Sequence, residues 1–196
     1  EIPLRLVGSE MCIRDRQWDT AVKAAVTTYG NYYTAANFNA EVYKWIGYTR
    51  IWDRGTGKGD IQPCPGYTKC GNGSNVGAFR ILALGAEKLS AEGDAVTLTF
   101  KATPWSEVTT GAGYTMDNKL VDVYVNDAVV AADVRITDSD AADGDPAVLT
   151  DMVWKEVVVE IPDLKPEDTI TIMGKTNEAK AGKGRFFIDD VSIVKK

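Results

Sequence analysis

Ala95-Val-Thr-Leu-Thr-Phe-Lys-Ala102 decides the reading of this chain. Val96, Leu98, Phe100 and Ala102 alternate with Thr97, Thr99 and Lys101, so an extended backbone puts the apolar side chains on one face and the polar ones on the other. A period of two with one dry face marks a strand that covers a core and turns its back to water. The same pattern returns in Leu120–Val125, Val129–Ile136, Trp154–Ile161 and Thr169–Met173, and Phe186–Val194 closes the chain. Turn-rich segments such as Asn126-Asp127 and Pro162-Asp163 separate these stretches. Strands that follow one another without helices between them predict an all-β domain of two packed antiparallel sheets, a β-sandwich. A closed barrel is the alternative left open by the pattern.

Upstream, the signals are weaker. Asp19 to Tyr33 holds Ala21, Val22, Ala24, Ala25 and Val26 before Gly30, which predicts a short helix capped by Asp19 or Thr20. Phe38 to Arg54 mixes Tyr43, Trp45, Tyr48 and Trp52 with β-branched residues and predicts at least one strand. Gly55 to Asn75 is dense in Gly, Pro, Asp and Asn and reads as long loops around one brief strand near Tyr67. An apolar run follows from Val76 to Leu84. Residues 1–16, EIPLRLVGSEMCIRDR, resemble a translated sequencing-adapter read-through, which makes them a non-native segment and leaves 17–196 as one domain.

Composition narrows the function classes. A chain of 196 residues with 44% hydrophobic and 26% charged residues has enough apolar material for one core. Its net charge of −6 disfavours nucleic acid, whose affinity comes from clustered Lys and Arg. No apolar run approaches the length of a membrane span. With no histidine in the sequence, Ser-His-Asp and Cys-His catalysis and histidine zinc sites are excluded. Cys64 and Cys70 bracket Pro-Gly-Tyr-Thr-Lys, a spacing that leaves a loop disulfide and two separate thiols as equal alternatives.

The ending Arg185 to Lys196, RFFIDDVSIVKK, resembles the last strand of galactose-binding-like jelly rolls, among them several carbohydrate-binding module families. With VTLTFKATPW (Val96 to Trp105), the Trp154 strand MVWKEVVVEI and the following TITIMGK, the order resembles C-terminal domains of Bacteroidetes surface proteins. This resemblance implies a jelly-roll fold, an extracellular or cell-surface location, and a polysaccharide or glycan as partner. It also implies a structural Ca²⁺ held by an acidic residue of the final strand, Asp189 or Asp190. Calcium takes six to eight oxygen ligands. Adjacent residues of a regular strand face opposite ways, so one carboxylate reaches the ion and the other faces solvent or a backbone amide.

Aromatic rings are the natural platform for a sugar face. Trp52, Tyr67 and Trp105 adjoin Gly, Pro or Asp and are the expected ligand-binding residues, whereas Trp45 and Trp154 are expected to pack within the sandwich. The acidic stretch Asp138 to Asp145 departs from EF-hand spacing, with its third Asp one residue late and Leu149 in the twelfth position, and reads as a solvated turn. Glu156 and Glu160 share a face with Trp154 and Val158 and are expected to face solvent. These observations lead to a non-catalytic glycan-binding module. A spacer or adhesion domain packing against neighbouring domains comes second, and a polysaccharide-degrading enzyme a distant third.

Overall fold

The computed structural model describes residues 61–64, 67–71, 76–81, 83–109, 113–145, 154–176 and 184–196. The expected helix at 19–33, the aromatic strand at 38–54 with Trp45 and Trp52, and segment 1–16 lie outside the described residues. Eleven strands are described: β1 (Ile61–Cys64), β2 (Tyr67–Cys70), β3 (Ala78–Ile81), β4 (Asp94–Pro104), β5 (Ser106–Thr109), β6 (Gly113–Met116), β7 (Leu120–Val125), β8 (Ala128–Arg135), β9 (Lys155–Leu164), β10 (Ile170–Gly174) and β11 (Phe186–Lys195). The described residues contain no helix, and the strands form a five-stranded sheet in the order β1-β2-β11-β4-β9, a four-stranded sheet β3-β10-β7-β8 and the hairpin β5-β6. Strand pairing is antiparallel. The chain passes between the two large sheets at most steps after β2, giving a β-sandwich of jelly-roll type.

Alternation builds the core. Val96, Leu98, Phe100 and Ala102 of β4, Val157, Val159 and Ile161 of β9, and Phe186, Ile188, Val191 and Ile193 of β11 point inward from the larger sheet. Phe79 and Ile81 of β3, Val121 and Val123 of β7, and Ile170 and Ile172 of β10 meet them from the smaller one. Phe79, Phe100 and Phe186 are among the largest fully buried side chains, each contributing apolar area well beyond an aliphatic residue. At the sandwich edge β8 bulges against β7, and Val129 and Val130 are 50% and 37% exposed.

The brief strand expected near Tyr67 is β2. Two features differ from the expectation: β1 pairs with it to make a hairpin, and a second hairpin, β5-β6, lies where no strand is expected. The first hairpin also bears on Cys64 and Cys70. Cys64 stands opposite Tyr67 and Cys70 opposite Ile61, three rungs apart. At ~3.3 Å per residue the two Cα atoms are on the order of 10 Å apart, against the roughly 4.4–6.8 Å that a disulfide spans. Of the two alternatives left open by the spacing, this register favours separate cysteines, and Cys70 is fully buried in the core.

Candidate functional site: an aromatic platform on the five-stranded sheet

Because Phe186 and Ile188 point into the core, Phe187 points out from the five-stranded sheet. Its cross-strand neighbours are Lys69 on β2 and Thr103 on β4. Tyr67 lies on the same face as Lys69, two residues earlier, and Trp105 follows Thr103 by two. Trp154 stands one rung beyond the Lys155–Ala102 pair, on the face of Glu156. Four separate chain segments thus bring four aromatic rings to one end of one sheet face.

The rings touch. Tyr67 meets Phe187 edge-on with centroids 5.4 Å apart and Trp154 at 5.9 Å. Phe187 lies 5.3 Å from Trp105 and 6.5 Å from Trp154. Tyr67 and Trp154 remain 37% and 36% exposed, so theirs are the rings open to a ligand. Trp105 is different. The Lys69 ammonium stands 3.9 Å from its centroid, the Arg185 guanidinium 5.1 Å, and its Nε1 donates to Glu107 Oε2 at 3.0 Å. Trp105 is a held member of the platform, with a cation already against its π-system.

Arg185 fixes this arrangement from below. Its Nε donates to Asp117 Oδ2 at 2.8 Å and its Nη2 to Asp117 Oδ1 at 3.0 Å, the two-pronged geometry matched to a carboxylate. Nη2 also donates to Glu107 Oε1 at 2.8 Å. Arg185 and Asp117 are 5% and 4% exposed. Burial pushes the guanidinium pKa down, but hydrogen bonds to Asp117 and Glu107 outweigh it and hold the value above the ordinary one. The backbone closes the ring of contacts: Trp105 N donates to Arg185 O, and Asp117 N to Trp105 O.

A charged row runs beside the rings, with Asp189 opposite Lys101 and Lys101 opposite Glu156. The register of β11 shifts between Asp189 and Ser192, and Asp190 takes a left-handed φ of 49°. This bulge breaks the alternation expected of the two aspartates, leaving both partly exposed between inward Ile188 and Val191. Lys101 lies 2.7 Å from Asp190, and this bond raises the Lys101 pKa. Among the described residues no group of three or more acidic or cysteine side chains comes together around an ion. The ammonium against Asp190 supplies positive charge where a calcium shell would place oxygen. Asn at both positions is expected to lower the melting temperature by the same small amount in calcium and in chelator, since a half-exposed ion pair contributes roughly 0–1 kcal/mol. A larger loss in calcium, followed by thermal denaturation, would bring a bound ion back.

The acidic turn wraps two cations. Lys119 Nζ donates to the carbonyls of Ser139 and Ala141, and Arg135 to those of Thr137 and Ser139 and to Asp140. A cleft of about 440 Å³ opens beside them, between Met116, Arg135 and Asp143. Burial, and then Arg135, lower the Lys119 pKa. The Asp138 and Asp140 side chains stay 80% and 91% exposed.

Of the residues expected to bind ligand, Tyr67 and Trp105 come together in this platform, and Trp52 lies outside the described residues. Trp154, expected to pack inside, is corrected to an exposed platform ring, because its position before β9 puts it on the wet face. Phe187 was also missed. Its signal was available: it alternates with core residues Phe186 and Ile188 and must face outward.

No family model matches the chain, and no curated protein does. Among solved structures it is similar to the CBM35 from Paenibacillus barcinonensis, with 13% identity over 75% of this chain and 84% of that chain, at a TM-score of 0.37. A family 35 carbohydrate binding module from an environmental isolate gives 16% identity over 76% and 79%, at 0.37. The CBM22-1 xylan-binding domain from Paenibacillus barcinonensis gives 10% over 74% and 78%, at 0.38. The sandwich described above stands on its own register and core, and the platform on its own rings.

Proposed function

We propose that this domain is a non-catalytic glycan-binding module of a secreted or cell-surface protein, and that Tyr67 and Trp154 form its contact surface. The carrying observation is that these two rings, backed by Phe187 and Trp105, stay about one-third exposed on an otherwise charged sheet face. Pyranose rings present apolar C–H faces and a rim of hydroxyls. An exposed indole or phenol ring offers the face a matching surface, and neighbouring charged groups bond the rim. Lys101, Glu156 and Asp189 supply such groups beside the rings. Glu107, the acidic side chain closest in sequence to Trp105, serves as structure, since Arg185 and Trp105 hold it.

Affinity electrophoresis in gels containing neutral polysaccharides tests the proposal. Retardation by at least one polymer without its degradation is expected. Loss of polymer chain length would favour an enzyme. A second reading has one observation in its favour: exposed Val129 and Val130 on edge strand β8 suit packing against a neighbouring domain, as in a spacer or adhesion domain. Mobility unchanged by every polymer would favour that reading.

A further inference from the structure

Thr103 is 1% exposed, and its Oγ1 has no hydrogen-bonding partner among the described residues. Its place makes this informative. Directly opposite Phe187 on β11, with Ala102 turned into the core, it lies on the platform face. Lys101 of β4 and Trp105, just past its end, flank it along the chain, and Trp154, just before β9, stands one rung beyond the Lys155–Ala102 pair. A hydroxyl shut among aromatic rings without a partner costs free energy, and such groups are rare in native proteins. Valine would fill the same volume without that cost.

We propose that the Thr103 hydroxyl is the polar floor of the glycan platform, bonding a hydroxyl of a sugar ring that lies against Tyr67 and Phe187 when the Trp154 indole turns outward to pack on the sugar's other face. This inference rests on the glycan-binding reading and deepens it. The ligand class is a neutral polyhydroxylated ring, because Thr103 can donate one hydrogen bond and accept others, as a sugar hydroxyl can. The Trp154 ring contacts Tyr67 edge-on and Phe187 at a tilt, so its outward movement exposes the floor while leaving Phe187 and Trp105 in place.

Thr103→Val tests the assignment, with xylan, galactomannan and hydroxyethylcellulose as electrophoretic probes. Its affinity for whichever polymer retards the unsubstituted domain is expected to fall about fivefold or more. Its urea midpoint should stay the same or rise, because an unsatisfied hydroxyl has been removed. Thr103→Ser, which keeps the hydroxyl, should retain binding. A lower urea midpoint for Thr103→Val would show that the hydroxyl is already satisfied in the free domain, and would overturn the inference. So would unchanged affinity in Thr103→Val where Tyr67→Ala binds weakly, an outcome that leaves the platform itself standing. Failure of all three polymers to retard the unsubstituted domain would overturn both.

Discussion

Asp117→Ala is expected to lower the stability of the domain by about 3–5 kcal/mol, the loss typical when one partner of a buried ion pair is removed. Asp117 accepts three hydrogen bonds from Arg185, through the backbone N, Nε and Nη2. Without it the guanidinium remains buried with Glu107, among the described residues, as its one remaining carboxylate partner. For a chain of this size the loss corresponds to a melting temperature roughly 6–20 °C lower. The argument concerns an uncompensated charge, so Asp117→Ala combined with Arg185→Met should recover part of the loss. The comparison is Glu160→Ala. That side chain is 54% exposed and bonded to Thr97 and Lys196, so solvent screens its contacts and its removal should cost far less. Urea denaturation of the four proteins measures all of this. Equal losses for Asp117→Ala and Glu160→Ala would contradict the account.

Gly77→Ala should be comparably damaging, at or above the upper end of the roughly 1–3 kcal/mol typical of overpacking. A Cβ at Gly77 would lie 2.5 Å from both the carbonyl carbon and oxygen of Cys70, closer than any real contact. Those are backbone atoms, and Cys70 is locked by pairing to Phe186 on one side and Ile61 on the other. Gly77 is bonded in turn to two other glycines. Its N donates to Gly184 O at 3.1 Å, and Gly174 N donates to its carbonyl at 2.9 Å. The start of β3, the end of β10 and the approach to β11 meet here with no room for side chains, so a methyl group must displace a strand. Ala at Gly113, where a Cβ meets nothing within 4 Å, carries only the cost of its left-handed φ of 69°. A Gly77→Ala protein as stable as the Gly113→Ala protein would show that the junction yields.

Much of the sandwich was legible because its long strands have one wet face. β4, β7, β9, β10 and β11 fall where period-two alternation puts them, since burial on one side imposes that pattern on the residues. β5 and β6 left no such trace. Each is four residues long, and the burial near them comes from Arg185, which lies 78 residues from Glu107 and 68 from Asp117. No local pattern encodes a pairing at that range. The strand near Tyr67 was legible as β2, but its partner β1 was hidden by the neighbouring Pro and Gly, which read as loop. Trp154 was misjudged against a pattern already in view: Glu156, Val158 and Glu160 were expected to face water, and a tryptophan in phase with them had to do so too. Tyr67 and Trp105 were legible as rings beside turns. Their meeting over Phe187 depends on β2 and β11 pairing across the sheet.

Isothermal titration of the domain with a neutral polysaccharide that retards it, set beside the same titration of Tyr67→Ala, Trp154→Ala and Val158→Ala, tests the central claim most directly. Val158 is 56% exposed on the same strand as Glu160, four residues beyond Trp154, and serves as the control for an exposed apolar residue outside the platform. Truncating a ring that anchors a ligand costs more than about 1 kcal/mol. Tyr67→Ala and Trp154→Ala should therefore each weaken binding about fivefold or more, with Val158→Ala unchanged. Full affinity in both aromatic variants, provided each remains folded, would contradict the account and place the glycan elsewhere on the domain.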